Sequence, residues 1–253
     1  MINSVILFIR DTLPIFLLVS LLLSQSGIRL IHLLIGVLIG LMVAGGLYIN
    51  LATLSALAEG GGLEIVKAVV LLITLIILCL LIRDAIAYNK STSRWAMLLV
   101  VGITITNAIH FLIYSFAYWS TDRADISLAM GSIIGLGISL SVSVLLHAVV
   151  SAVNNAYVKL SFLCVFCAGQ FAGITLLLEQ IDYLDVTERV WDSSDWVADD
   201  SEYGHLMNVL FGYEATPSIA YISVYSIAVT VPFIYALSMK RIATAPHVEG
   251  ASS

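Results

Sequence analysis

Charge is what this sequence has least of. Of its 253 residues, 11% are Asp, Glu, Lys or Arg and 60% are hydrophobic. A soluble domain carries roughly 25% charged residues. The shortage excludes a mainly water-soluble fold and leaves no room for a sizeable soluble domain. Cysteine is scarce too. Cys79, Cys164 and Cys167 all lie in apolar stretches, and three cysteines do not make a disulfide framework. The formal net charge of −6 offers no basic field for nucleic acid. The first apolar run lacks a positive n-region and an A-x-A-like cleavage site, so it reads as a retained helix rather than a signal peptide.

Long apolar runs are what the chain has instead. Seven of them reach the roughly 20 residues that a membrane-crossing helix needs, at about 4–23, 28–48, 63–82, 96–119, 128–151, 158–180 and 216–238. Backbone groups in lipid must be satisfied within their own segment, which makes these runs helices rather than open strands. The expected fold class is an all-α integral membrane protein with seven transmembrane helices. They form one domain over residues 1–240 with a loop at 181–215, followed by a short tail at 241–253.

The loops set a direction. Arg29, Arg83, Lys90, Arg94, Lys159, Lys240 and Arg241 fall on one side, and only Arg123 and Arg189 on the other. Cytoplasmic loops carry the excess of Lys and Arg. The N-terminus is therefore expected outside, the C-terminus inside, and the protein in the cell (inner or plasma) membrane as a multi-pass chain. The 181–215 loop is then external. It is acidic, with Asp182, Asp185, Glu188, Asp192, Asp195, Asp199, Asp200, Glu202 and Glu214. Such a loop is either simply solvated or a collector of cations. Its Trp191, Trp196, Tyr203 and Phe211 place it on the membrane surface.

Polar residues inside the runs sort into two layers by depth at 1.5 Å rise per residue. The outer layer holds Asp11, Glu64, Lys67, Asn107, His110, Gln170 and Glu179. Ionisable groups in a membrane are costly and usually functional. Glu64 and Lys67, three residues apart, share a helix face and read as an ion pair. Carboxylates with an imidazole also suit a transition-metal cation, although the Lys67 charge repels one. The inner layer holds His32, Cys79, His147, Cys164 and Cys167. The "CVFC" stretch puts two thiols on one face, a weaker candidate for a soft metal with His32 or His147, set against inert core packing. Haem is disfavoured, since His110 and His147 differ in depth by roughly 14 Å. Retinal is disfavoured because the seventh run has no lysine for a Schiff base. No catalytic set stands out, so an enzyme is not expected.

Several stretches carry a resemblance. "EGGGLEIVKAVVLLITLIIL", "AGQFAGITLLLEQIDYLD", and "VWDSSDWV" followed by "GHLMNVLFGYEATPSIAYISVYSI" resemble the third helix, the end of the sixth, and the last loop and seventh helix of the high-affinity ferric-iron permeases (oxidase-dependent iron transporters). The resemblance covers nearly the whole chain. It implies seven helices, an external N-terminus and iron-binding Arg-Glu-x-x-Glu motifs in the first and fourth. Here the first motif becomes Arg10-Asp11-Thr12-Leu13-Pro14, and the second becomes Thr106-Asn107-Ala108-Ile109-His110. One of the four motif carboxylates remains. Ferric iron wants several anionic oxygens, whereas Asp11, Asn107 and His110 suit a divalent ion.

The resulting expectation is a metal-cation permease with an outer site of Asp11, Asn107, His110 and Glu64, in which Arg10 positions Asp11. Pro14 is expected to break the first helix and free backbone carbonyls for the ion. The first three and next three helices are expected to form an inverted repeat. The transported metal is cargo, and no resident cofactor is implied. Expected partners are the bilayer and, at the acidic loop, a periplasmic or extracellular metal-binding or redox protein. Two other readings stand beside this one: a non-transporting permease-like subunit of a membrane complex, and a membrane redox protein with a cofactor in the inner layer.

Overall fold

The computed structural model describes residues 2–87, 91–119, 125–184 and 188–243. Lys90, Arg123, Asp185 and the expected tail from residue 244 onward lie outside the described residues, as do the side chains of Glu202, Lys240 and Arg241. The described chain is helical. Its extended pairing is a single antiparallel bridge between Arg189 and Ser218.

The helices are α1 (Ile2–Leu23), α2 (Leu30–Ile49), the short α3 (Leu51–Ser55), α4 (Gly62–Ile86), α5 (Thr92–Trp119), α6 (Asp125–Ala152), α7 (Ala156–Gln180), α8 (Glu202–Phe211) and α9 (Ile219–Ala243). All seven apolar runs are helical, with ends within a few residues of expectation. Five of these helices, α2, α4, α5, α6 and α7, are long and apolar enough to cross a membrane. The protein is therefore a membrane-embedded helical bundle whose exposed apolar residues meet lipid. Leu38, Met42, Ile133 and Leu145 are such residues, on α2 and α6.

Small residues decide how the helices meet, because lipid removes most of the hydrophobic drive between them. The buried line of α2 runs through Gly36, Gly40 and Ala44. It lies on α5 so closely that a Cβ at Gly40 would stand 2.6 Å from Thr104 Cβ. On α6 the buried line is Gly131, Gly135, Ser139 and Ser143, and it lies on α1. A Cβ at Gly135 would stand 2.6 Å from Phe8 Cβ, and Ser139 Oγ meets Thr12 Oγ1 at 3.1 Å. The core between the helices is aliphatic, with Leu17, Leu18, Leu78, Leu99, Ile103, Leu163 and Phe171 fully buried.

Two expectations change. First, α1 runs unbroken through Pro14. Proline still removes the N–H that would bond the Arg10 carbonyl, but neighbouring packing keeps the helix continuous. Second, the stretch between the sixth and seventh runs is a folded cap rather than an open loop. Ser201 Oγ accepts from Gly204 N and starts α8. Gly212, at φ 66°, ends it in the left-handed conformation that favours glycine. Val190 N and Ser193 N donate to Pro217 O and Ala215 O. Ala215 N donates to Asp199 Oδ1 at 2.7 Å, Tyr213 O–H to Val197 O at 2.9 Å, and Tyr221 O–H to Gly212 O at 3.0 Å. The end of the bundle under this segment is the cap end below, and the end holding Arg29, Arg94 and Lys159 is the basic end.

Candidate functional site

The α1–α5 and α4–α5 packings bring Asp11, Lys67 and His110 of the outer layer into one neighbourhood, while Gln170 and Glu179 lie on α7. Asp11 is 3% exposed. Its Oδ1 accepts from Arg10 Nε at 3.1 Å, and its Oδ2 is buried with no partner. Lys67 of α4 is 2% exposed, the largest fully buried side chain described. Its Nζ donates to His110 Nε2 of α5 at 2.8 Å, which fixes that imidazole nitrogen as the acceptor. Lys67 also lies within electrostatic range of Glu64, Asp11 and Arg10. His110 is thus engaged by the Lys67 ammonium, which feels Asp11 electrostatically without forming an ion pair with it. A buried ammonium needs compensation, and Asp11 and Glu64 supply it.

The expected Glu64–Lys67 ion pair does not close. Among the described residues the ion pairs are Arg10–Asp11 and Arg83–Asp84. Lys67 points inward to the imidazole, while Glu64, one turn toward the cap end, faces open space. Asn107 Nδ2 donates to Ile103 O on its own helix at 2.9 Å, which orients the side chain.

Glu64 lines a cavity of about 860 Å³ at the cap end, together with Gln180, Asp182 and Tyr183. Ala58 and Asp182 line it too, and both hold positive φ, 51° and 55°. That conformation costs a non-glycine residue roughly 1 kcal/mol. Order along α4 therefore runs from an acidic opening at Glu64 to Lys67 and the Asp11 pair. The cap adds further negative charge. Burial, with Asp199 close by, pushes the Glu214 carboxyl above its usual range. The Ser194 N–H holds Asp192 below its own. Glu179 accepts from Ser218 Oγ at 2.8 Å and ties α7 to α9.

The inner-layer residues do not form one site. His147 reaches the Ser20 carbonyl through Nδ1 at 3.2 Å and Ser151 Oγ through Nε2 at 3.3 Å, tying α6 to α1. His32 lines a separate cavity at the basic end. Cys164 and Cys167 are buried in the core and Cys79 is half-buried, all as free thiols. Among the described residues no three His, Cys, Asp or Glu side chains gather as a metal site, in either layer.

Two features were not read from the sequence. One is the central place of Lys67, whose only signal was a lone lysine in an apolar run. The other is Asp84, 3% exposed, which accepts from Arg83 Nε at 2.9 Å and from Trp95 Nε1 at 3.0 Å and so ties α4 to α5. Helix α8 carried a readable signal: Ser201 before it, Leu206, Val209 and Leu210 at helical spacing, and Gly212 after it. Compared with protein-family models, curated proteins and solved structures, the chain matches none.

Proposed function

We propose that the protein is a membrane permease for a metal cation, preferring a divalent ion, of the iron-permease type. In this reading all seven long helices cross the cell membrane, the cap end faces outside and the C-terminus lies inside. The single observation that carries the proposal is Asp11. A carboxylate 3% exposed with one unpartnered oxygen is too costly to keep in an apolar bundle without a use. It lies inward of an acidic cavity that would gather cations. Lys67 then acts as a resident positive charge. It offsets the negative charge between passages, and an entering cation displaces it from His110. One carboxylate and an imidazole favour a divalent ion over ferric iron.

The helix packing supports an inverted repeat of α1–α2–α4 and α5–α6–α7. In each triplet the first helix lies on the second helix of the other, α1 on α6 and α5 on α2, and each contact uses a line of small residues. Transporters with inverted repeats hold their site where the repeats meet, as α1, α4 and α5 do around Asp11.

Uptake into vesicles under reducing and oxidising conditions tests the proposal. Ferrous iron or another divalent ion should enter in preference to ferric iron, and Asp11→Ala and His110→Ala should remove the uptake. Equal ferric and ferrous entry would sink the selectivity. A second reading, a non-transporting permease-like subunit, draws on the Lys67–His110 bond, which occupies the imidazole nitrogen a metal would need. Absence of any metal uptake by folded, inserted protein would favour it.

A further inference from the structure

At the basic end the turns after α1 and α6, with the start of α5, line a cavity of about 820 Å³. Among the described lining residues the charged ones are of one sign, Arg29, Arg94 and Lys159, with no carboxylate. Three helices begin at it. They are α2 after Arg29, α5 at Thr92 and α7 at Ala156, so three positive dipole ends point at one space. Arg29 makes no side-chain cap to α2. Three polar atoms of lining residues are buried without partners: Gln25 Nε2, His32 Nδ1 and Ser93 Oγ. Gln25 is only 8% exposed. A buried amide donor left unpaired is costly, so this arrangement favours the entry of an acceptor. Lys159 Nζ donates to Ser24 O at 3.0 Å and Arg94 Nη2 to Ser91 Oγ at 3.1 Å. These bonds hold both cations in place and leave each with further N–H donors.

We propose that this cavity binds a phosphate group. Phosphate offers several acceptor oxygens and negative charge, which match clustered N–H donors, two guanidinium groups and helix N-termini. The group comes either from an anionic phospholipid headgroup or from a soluble phosphate compound. Asp84 does not compete for the cations of the cavity, since Arg83 and Trp95 engage it. The inference stands apart from cation passage at the cap end.

The test uses the full chain in nanodiscs. In discs of phosphatidylcholine alone, inorganic phosphate is titrated and followed by thermal unfolding, with chloride at matched ionic strength as the control. In a second arm the discs contain phosphatidylglycerol, and lipid retained after detergent extraction is measured by native mass spectrometry. A saturable rise in Tm with inorganic phosphate identifies the soluble source. Selective retention of phosphatidylglycerol identifies the headgroup. In either case Arg94→Gln and Lys159→Gln should each weaken binding about tenfold or more, since a bond to a charged group contributes about 1.5–3 kcal/mol. Arg29→Gln, at an exposed position, serves as the variant least able to disturb folding and should weaken binding in the same direction. No response in either arm, or unchanged binding in all three variants, would overturn the proposal.

Discussion

Lys67→Met is the most informative change to the charge cluster. Methionine keeps the length and the apolar stem and deletes the ammonium. Lys67 is 2% exposed and donates to His110 at 2.8 Å, so the change removes a part-buried hydrogen bond and one of two cations near Asp11. Removing one partner from a buried charge set costs about 3–5 kcal/mol. Arg10 still pairs with Asp11, which puts the expected loss at the lower end, about 3 kcal/mol, or a fall in Tm on the order of 5–10 °C. The same change vacates the place of a cation. Should Mn²⁺ enter and restore half of that stability, its Kd tightens about tenfold relative to the unaltered protein. The assay is thermal unfolding of detergent-solubilised protein with added Mn²⁺. Lys67→Met should be less stable without metal and regain stability with it, while the unaltered chain responds less. Asp11→Asn combined with Lys67→Met should recover stability without metal and ignore Mn²⁺. An unchanged Tm in Lys67→Met would refute the idea that the ammonium offsets Asp11. A lowered Tm with no metal response would refute the cation site and leave a structural charge cluster.

Gly40→Ala should destabilise the bundle by about 1–3 kcal/mol, because its Cβ would meet Thr104 Cβ at 2.6 Å. Gly137→Ala, with nothing within 4 Å, should stay within about 0.5 kcal/mol; thermal unfolding compares the two. For the cap, the Glu214 carboxyl has a pKa raised above its ordinary 4.5, so the folded cap holds that proton more tightly than the opened one. Its contribution is therefore most favourable at low pH and is lost as pH rises from 4.5 through the raised value. Limited proteolysis of residues 188–217 should accelerate over that rise, and Glu214→Gln should flatten the dependence. Cysteine placed at Trp196, 91% exposed, should react with an impermeant reagent from outside. Cysteine at the exposed Arg94 should react only from inside, and the reverse pattern would invert the proposed orientation.

The helical, membrane-embedded nature of this protein is legible in the sequence because it depends on local quantities. An apolar run of sufficient length must close its own hydrogen bonds in lipid, so the runs at 63–82 and 158–180 needed no knowledge of neighbours to be read as helices. The Arg10–Asp11 pair was legible for the same reason, since adjacent residues of opposite charge meet without help from the fold. The partners of Lys67 were not. Helical spacing offered Glu64 on the same face, but the depth and rotation of α5 against α4 put His110 Nε2 within 2.8 Å instead. Gly102 of α5 sets that approach, since a Cβ there would stand 3.1 Å from Thr74 Cβ of α4, a residue far away in the chain. The cap has a composition dominated by acidic residues, which suits a solvated loop or a collector of cations and shows no folded segment. Its order comes from bonds such as Ala215 to Asp199 and Tyr221 to Gly212, which exist only once α7, α8 and α9 are assembled. By depth alone His32 was a weaker candidate for a soft metal beside the thiols, set against inert core packing. Three helix starts, at residues 30, 92 and 156, converge only in three dimensions, and that convergence places His32 in a cavity lined by cations. Hydrophobic length acts within one segment and so survives in the sequence. The pairing of buried charges acts between segments, and only their packing decides it.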